Sequence, residues 1–370
     1  MTQSAPKSVT PDVLFCAAFE LSATKWRVAF TDGAKIRQVT IVAGDFDALE
    51  EHAAKARKHF KLEKGHVLSS CYEAGRDGFW IHRRLEEMSI VNHVLDSASI
   101  EVSRRARRAK SDSLDAESLV RILIRLLRGE KKACSVVKVP TVQMEDSRRI
   151  DRERERLSKE KTQHLTRMRA LLVTQGIELE AFSELPLAME KLKPTCPRLV
   201  EELEREKERL TLVLTQIKAL DERRRELLES KELPWAEKAE MLARLKAIGE
   251  QTSSVLSSEF FGWREFANGK QVGACAGFTP TPYSSGASNR EQGISKAGSR
   301  RIRRIMVEVA WMWLRYQPQS TLSKWFEGKF AKKAGRSRRV GIVALARKLL
   351  VALWSYLERG VVPEGALMKT

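Results

Sequence analysis

Apolar and polar positions in the first third of the chain alternate over short stretches and then change to helical spacing. Val13 to Glu20, Trp26 to Thr31 and Ile36 to Val42 are rich in β-branched and aromatic residues and read as strands, whereas residues 46 to 60 space their apolar side chains as a helix does. Asp32-Gly33 supplies the turn chemistry of a hairpin between the second and third strands. Segments 66–73, 77–88 and 90–95 continue as strand, helix and strand, followed by further helix. The predicted order is β-β-β-α-β-α-β-α, with parallel strands covered by their crossover helices.

The period then lengthens. From 141 to 178 and again from 197 to 231, Leu157, Leu165, Met168 and Leu171, and Leu199, Leu203, Leu210, Leu214, Ile217 and Leu220, recur at heptad-like intervals through dense charge. Two long helices follow from this, forming an antiparallel hairpin or an inter-subunit coiled coil. Pro186, Pro194 and Pro197 separate them. Met241 to Ser258 reads as helical with a tight turn at 247–252, and Val307 to Tyr316 and Ile342 to Leu357 are apolar enough for core helices, with Trp311, Trp313 and Trp354 as packing residues. The organisation expected is a domain over 12–130, coiled-coil helices over 141–232 and a mainly helical domain over 235–360.

Charge narrows the choice of partners. With 67 Lys and Arg against 48 Asp and Glu, the 370-residue chain carries +19, a field that favours a polyanion, with nucleic acid the leading candidate. Cys16, Cys71, Cys134, Cys196 and Cys275 are odd in number and show no CxxC pair, which argues against a disulfide framework or zinc ribbon and fits a reducing cytoplasm. No uninterrupted run of about 18 apolar residues occurs, so no membrane partner is expected. No histidine follows His164, which excludes a Ser-His-Asp triad contained in the C-terminal half.

Candidate chemistry lies at two places. Glu20 ends the first predicted strand and Glu73 the fourth, and Asp112 and Asp115 stand three apart on a helix and so face one way. Carboxylates converging from different elements are what divalent-metal phosphodiester chemistry needs. Farther on, Ser284 and Ser285 follow a Pro-rich segment and precede Gly286, a composition that favours an exposed loop, beside Lys296, Arg300, Arg301, Arg303 and Arg304, cations suited to holding phosphodiesters. A second basic run, Arg104, Arg105, Arg107, Arg108 and Lys110, stands directly before the acid pair and reads as a backbone-binding strip for DNA or RNA; its bland alternative is a solvated surface.

Phe19-Glu-Leu-Ser22, Tyr72-Glu-Ala-Gly75, Arg107-Arg-Ala-Lys-Ser-Asp112-Ser-Leu-Asp115-Ala, Ala247-Ile-Gly249, Gly277-Phe-Thr-Pro280, Tyr283-Ser-Ser-Gly286 and Gly293-Ile-Ser-Lys296 occur in this order. In this the chain resembles the DEDD transposases of the insertion-sequence group called IS-one-ten, the bridge-RNA-guided recombinases, over roughly residues 13 to 360. The resemblance implies an α/β ribonuclease-H-like (RuvC-like) N-terminal domain whose acids Glu20, Glu73, Asp112 and Asp115 bind Mg²⁺ (or Mn²⁺), a central long-helix region, and a mainly α C-terminal transposase domain. In that family one serine attacks DNA and forms a composite site with the acids. By motif position it is Ser285, with Ser284 in reserve. The family usually carries Asp where this chain has Glu20, and the added methylene moves the carboxylate by roughly one C–C bond length.

The resemblance further implies target and donor DNA chosen through pairing with a structured noncoding bridge RNA, a homodimer assembling to a tetramer, and a cytoplasmic, nucleoid-associated prokaryotic setting. Two rivals stand beside it: a structure-selective nuclease using only the acids with water as nucleophile, and a catalytically silent nucleic-acid-binding protein.

Overall fold

The computed structural model describes residues 14–63, 65–100, 112–130, 132–285, 288–330 and 334–369. It comprises two compact units, Met1–Val139 and Pro140–Thr370.

In the first unit β1 (Cys16–Leu21), β2 (Lys25–Thr31) and β3 (Ile36–Val42) form an antiparallel meander, followed by α1 (Phe46–His59), β4 (Ser69–Glu73), α2 (Trp80–Glu87), β5 (Val91–Leu95) and α3 (Asp112–Leu127). The sheet order is β3-β2-β1-β4-β5, with β1, β4 and β5 parallel. Asp45 caps α1 by accepting the amide of Ala48, and Asp32 accepts the amides of Ala34 and Lys35 to close the β2–β3 hairpin. Strand alternation divides the core. Phe15, Ala17, Phe19, Val28, Phe30 and Tyr72 pack beneath α1 and α2, while Cys16, Ala18, Ala29 and Cys71 meet Ala116, Leu119, Val120 and Leu123 of α3. Burial pushes the Cys16 thiol up to about 12, with Arg128 opposing it weakly, so this cysteine is a core residue and not a reactive one.

The second unit begins with α4 (Val142–Asp146) and α5 (Arg149–Val173), continues through α6 (Leu185–Leu192) and α7 (Pro197–Glu229), and then α8 (Ala236–Ala243) and α9 (Glu250–Leu256). A π-helical turn, Ser257–Phe261, follows α9. After it come α10 (Gly269–Cys275), β6 (Pro280–Ser285), β7 (Ser288–Ile294), α11 (Arg300–Tyr316), α12 (Thr321–Phe330) and α13 (Gly335–Arg359).

Helices α5 and α7 pack antiparallel within the chain, as three cross-pairs show: Arg154 to Asp221 at 2.6 Å, His164 to Glu206 at 2.6 Å and Arg167 to Glu202 at 2.5 Å. The buried stripe of α7 runs through Leu203, Glu206, Leu210, Val213 and Arg224. Leu214, expected in that stripe, is exposed, because the alternating steps of three and four through Leu203, Glu206 and Leu210 next select Val213, three residues on.

Buried residues of α9, α11 and α13, with Phe260, Phe261, Phe278 and Phe326, form the largest core. Trp313 is fully buried and donates its indole N–H to Ser320 Oγ at 2.9 Å. Trp354 is also buried. Trp311 departs from expectation: it is 41% exposed, one helical step off the buried stripe, with Arg338 over its ring at 5.7 Å. By length and composition α13 reaches the apolarity of a membrane span, although Arg347 and Lys348 interrupt its apolar run. Half of that span is buried inside the unit, with Leu345, Leu349, Leu350 and Leu353 in its core.

Candidate functional site

Glu20 and Glu73 come to the same place because β1 and β4 are parallel neighbours in register, with Phe19 opposite Tyr72; the next residue on each strand is the glutamate. Alternation puts both on the sheet face that carries Ala18 and Cys71, the face covered by α3. They line one cleft of about 410 Å³ with Ser22, Gly75, Arg76 and Asp77. The turn beyond β4 is fixed by Tyr72, whose hydroxyl donates to the Gly78 carbonyl at 3.0 Å, and by Ser97, whose hydroxyl donates to the Ala74 carbonyl at 2.8 Å.

Helix α3 runs against the strand direction. Its Leu119 carbonyl faces Cys71 Sγ at 3.6 Å, beside Ala18, and Arg128 just past its end lies by Gly33 and the start of β1. Asp115 lies one turn before Leu119, about 6 Å back along the helix. Glu20 lies two residues beyond Ala18, about 6–7 Å along the strand. The first turn of α3 is therefore at the level of the two glutamates. Asp112 opens that helix, but its side chain and the basic run Arg104, Arg105, Arg107, Arg108 and Lys110 lie outside the described residues. Among the described residues no group of three or more His, Cys, Asp or Glu is disposed to hold a metal ion. The Glu20–Glu73 pair nevertheless suits a hard divalent cation of the Mg²⁺ type, which is held by one or two carboxylates and keeps its other positions for water and phosphate oxygens.

Ser284 and Ser285 fall in β6, not in a loop. β6 and β7 pair antiparallel with Ser284 opposite Asn289 and Ser285 opposite Ser288; Gly286 and Ala287 lie outside the described residues. Loop composition was outweighed because Thr281 and Tyr283 favour strand and the partner strand satisfies the backbone. The prolines 280 and 282 are accommodated where the register shifts between them.

The hairpin is anchored at its foot by a close backbone crossing. Gly277 has φ +73°, and a Cβ there would run into the Ala297 carbonyl oxygen and the Arg303 guanidinium. Gly277→Ala is expected to cost about 3 kcal/mol, from left-handed strain plus overlap, and to lower the thermal midpoint by roughly 6–12 °C. A shift under about 2 °C in a melting scan would show that the crossing is soft.

The four arginines of α11 have different duties. Arg301 is 16% exposed; its Nε lies 2.6 Å from Glu155, its Nη1 2.5 Å from Glu259, and its Nη2 donates to the Asp151 carbonyl at 2.8 Å. Arg303 donates to the Ala276 and Gly298 carbonyls, both at 3.1 Å. Arg304 pairs with Glu155 at 2.7 Å while remaining half exposed. Contrary to the expectation of four cations facing phosphate, Arg301 and Arg303 are engaged within the fold, whereas Lys296 and Arg300 are exposed.

Behind Arg301 is a polar cluster that spacing alone did not reveal. Burial works to raise the Glu259 carboxyl, but Arg152, Arg301 and Arg148 outweigh it and hold it below the ordinary value. Glu155 is lowered likewise, with burial opposed by Arg301 and Arg304. Asp151 is raised by burial, although it accepts from Ser254 and Ser258 at 2.8 and 2.9 Å. The sequence signal was faint: acids on helices at positions that should have been apolar.

Comparison with known proteins places the chain in a class of DNA-processing enzymes. Residues 239–323, from α8 to α12 and including the hairpin, match the family model described as Transposase IS116/IS110/IS902 family. A relative described as Putative transposase y4rJ, from Sinorhizobium fredii, is 40% identical over 386 aligned positions, covering 99% of this chain and 98% of that protein. The Transposase for insertion sequence element IS1328 of Yersinia enterocolitica is 31% identical over 101 residues, 27% of this chain and 29% of that one. The chain thus belongs to the IS116/IS110/IS902 family of insertion-sequence transposases.

Proposed function

We propose that this transposase cuts and rejoins DNA through a serine nucleophile, Ser285 with Ser284 in reserve, assisted by divalent-metal carboxylates of a ribonuclease-H-like (RuvC-like) domain. The observation that carries the reading is the pairing of Glu20 and Glu73 at the ends of adjacent parallel strands, lining one cleft, with the first turn of α3 at the same level. The sheet order β3-β2-β1-β4-β5, three antiparallel strands continued by two parallel ones, agrees with the ribonuclease-H-like assignment.

Glu20, Glu73, Asp112 and Asp115 would hold Mg²⁺ or Mn²⁺, which supplies Lewis-acid stabilisation of phosphate charge and lowers the pKa of a bound hydroxyl. A serine hydroxyl needs such activation, and the single histidine of the second unit, His164, is paired with Glu206 between α5 and α7. Ser285 Oγ attacks phosphorus, the P–O bond to the neighbouring nucleotide breaks, and the leaving oxygen takes a proton to become a free hydroxyl. A strand hydroxyl then attacks the phosphoserine, restores the phosphodiester and releases the serine, so no high-energy cofactor is consumed. Lys296 and Arg300, exposed beside the hairpin, would offset the charge on the phosphate. A structured bridge RNA as guide, and a homodimer assembling to a tetramer on donor and target DNA, complete the proposal.

A denaturing gel of the purified protein with Mg²⁺, labelled donor and target DNA and the noncoding RNA flanking the gene tests it. A protein–DNA adduct should form and be lost in Ser285→Ala, with strand cleavage falling at least about a thousandfold, as removal of a nucleophile does. Adduct persisting in Ser285→Ala but lost in Ser284→Ala moves the role by one residue. Cleavage that survives both changes without adduct would establish a water-using nuclease.

A further inference from the structure

A groove of about 1340 Å³ opens in the Pro140–Thr370 unit between α10, the foot of the β6–β7 hairpin and one side of α13. Lys270, Lys296, Arg336, Arg339, Arg347 and Lys348 line it, and among the described residues no Asp or Glu does. Between these cations the lining is aliphatic: Ile294, Leu322, Val340, Val343 and Val351. The helix itself interleaves the two chemistries, since Arg336, Val340, Val343, Arg347 and Val351 follow at steps of three and four and so share one stripe. Arg336 and Arg347 stand about 16 Å apart along it.

We infer that this groove holds an unpaired nucleic-acid strand, its phosphates on the cations and its bases against the valines. The volume exceeds the roughly 300–1,000 Å³ of a small-molecule pocket, so a polymer segment suits it better. All-cationic lining selects a polyanion. A duplex would meet the cations but hide its bases and leave the aliphatic floor wet, whereas a single strand offers phosphates and apolar base faces together. Lys270, Lys296, Arg336 and Arg339 are exposed and available to such a ligand; Lys348 is partly engaged, with its ammonium 4.8 Å from the Trp325 ring centre. Pro280, Gly293 and Ile294 of the hairpin foot form part of the lining, so a strand seated here is directed along the hairpin, whose β6 carries Ser284 and Ser285 about 14–17 Å farther on. The inference adds a seat for the strand to the proposed function and does not require either serine to be the nucleophile.

Fluorescence anisotropy on the full chain carrying Ser285→Ala, without metal, tests this with labelled oligomers of about 12 nucleotides as single-stranded DNA, single-stranded RNA and DNA duplex. Lys270→Gln/Arg336→Gln/Arg339→Gln should weaken single-strand binding at least about tenfold near 0.1 M KCl and reduce the salt slope by roughly two, at about 0.7 per lost phosphate contact. Lys161→Gln/Arg169→Gln/Lys207→Gln, an equal charge loss at exposed positions of α5 and α7, should change binding less than about threefold. Val340→Asp, at a half-exposed site, should weaken single strands more than duplex. A preference for either DNA or RNA supports the shared chemistry and says which strand is held. Equal losses from the two triple variants, or equal affinity for duplex with no effect of Val340→Asp, would overturn it. So would a groove variant that disturbs only self-association in sedimentation velocity, since the occupant would then be a second copy.

Discussion

Glu20→Ala and Glu73→Ala are each expected to abolish Mg²⁺-dependent strand cleavage, by a hundredfold at the least and by about 10³ if each contributes as a transition-state donor typically does. The two side chains line one cleft from adjacent strands, so loss of either leaves a single carboxylate from the sheet. Both lie at strand ends, outside the buried core. The thermal midpoint should therefore stay within about 2 °C, as for surface substitutions. Mn²⁺ binding followed by the free-ion EPR signal supplies a readout independent of turnover, and it should weaken in parallel with cleavage. Glu20→Asp retains the carboxylate and should retain measurable metal binding. Full cleavage in Glu73→Ala would sink the proposed metal site, whereas lost cleavage with a collapsed melting transition would reveal a structural role.

Arg301→Met should destabilise the protein by about 2 kcal/mol, because it leaves Glu259 and Glu155, both largely buried, short of a shared cation. Glu259 keeps Arg152 at 2.7 Å and Glu155 keeps Arg304, so the loss should fall below that of a fully stranded charge. In urea denaturation the double variant Arg301→Met/Glu259→Gln should lose less than the sum of the two single changes, the mark of a coupled pair. The pH dependence follows from the direction of the shifts. Both carboxyls are held below their ordinary value of 4.5, so their contribution is complete above that value and disappears as pH falls through the lower native values. Arg301→Met should flatten this acid limb. A single-variant loss under about 0.5 kcal/mol would mean that Arg301 is in reality free for phosphate, as its basic neighbourhood first suggested.

Local rules carried a large part of this protein. Strand alternation marked β1 to β5 and thus which face receives Glu20 and Glu73, and Asp32-Gly33 marked the β2–β3 hairpin, because side-chain period and turn chemistry are properties of neighbouring residues. Helical spacing likewise marked α5 and α7. It erred by one position at Leu214, since only the partner helix distinguishes a stripe through Val213 from one beside it. Trp311 was misread for the same reason: an aromatic on an apolar helix is core or surface according to what packs opposite.

Tertiary structure alone decided the rest. Parallel pairing of β1 with β4 joins residues 53 positions apart in one cleft, and no local pattern encodes that register. Strand pairing moved Ser284 and Ser285 out of the loop their composition favours, because a partner strand satisfies backbone groups that composition cannot count. A run of arginines can be read from sequence as basic, but whether each faces solvent or a buried carboxylate depends on distant acids. Glu155 and Glu259 took Arg301, and Lys270 with the cations of α13 were left to line a groove. Charge is a property of the residue, whereas its availability is set by the long-range contacts that surround it.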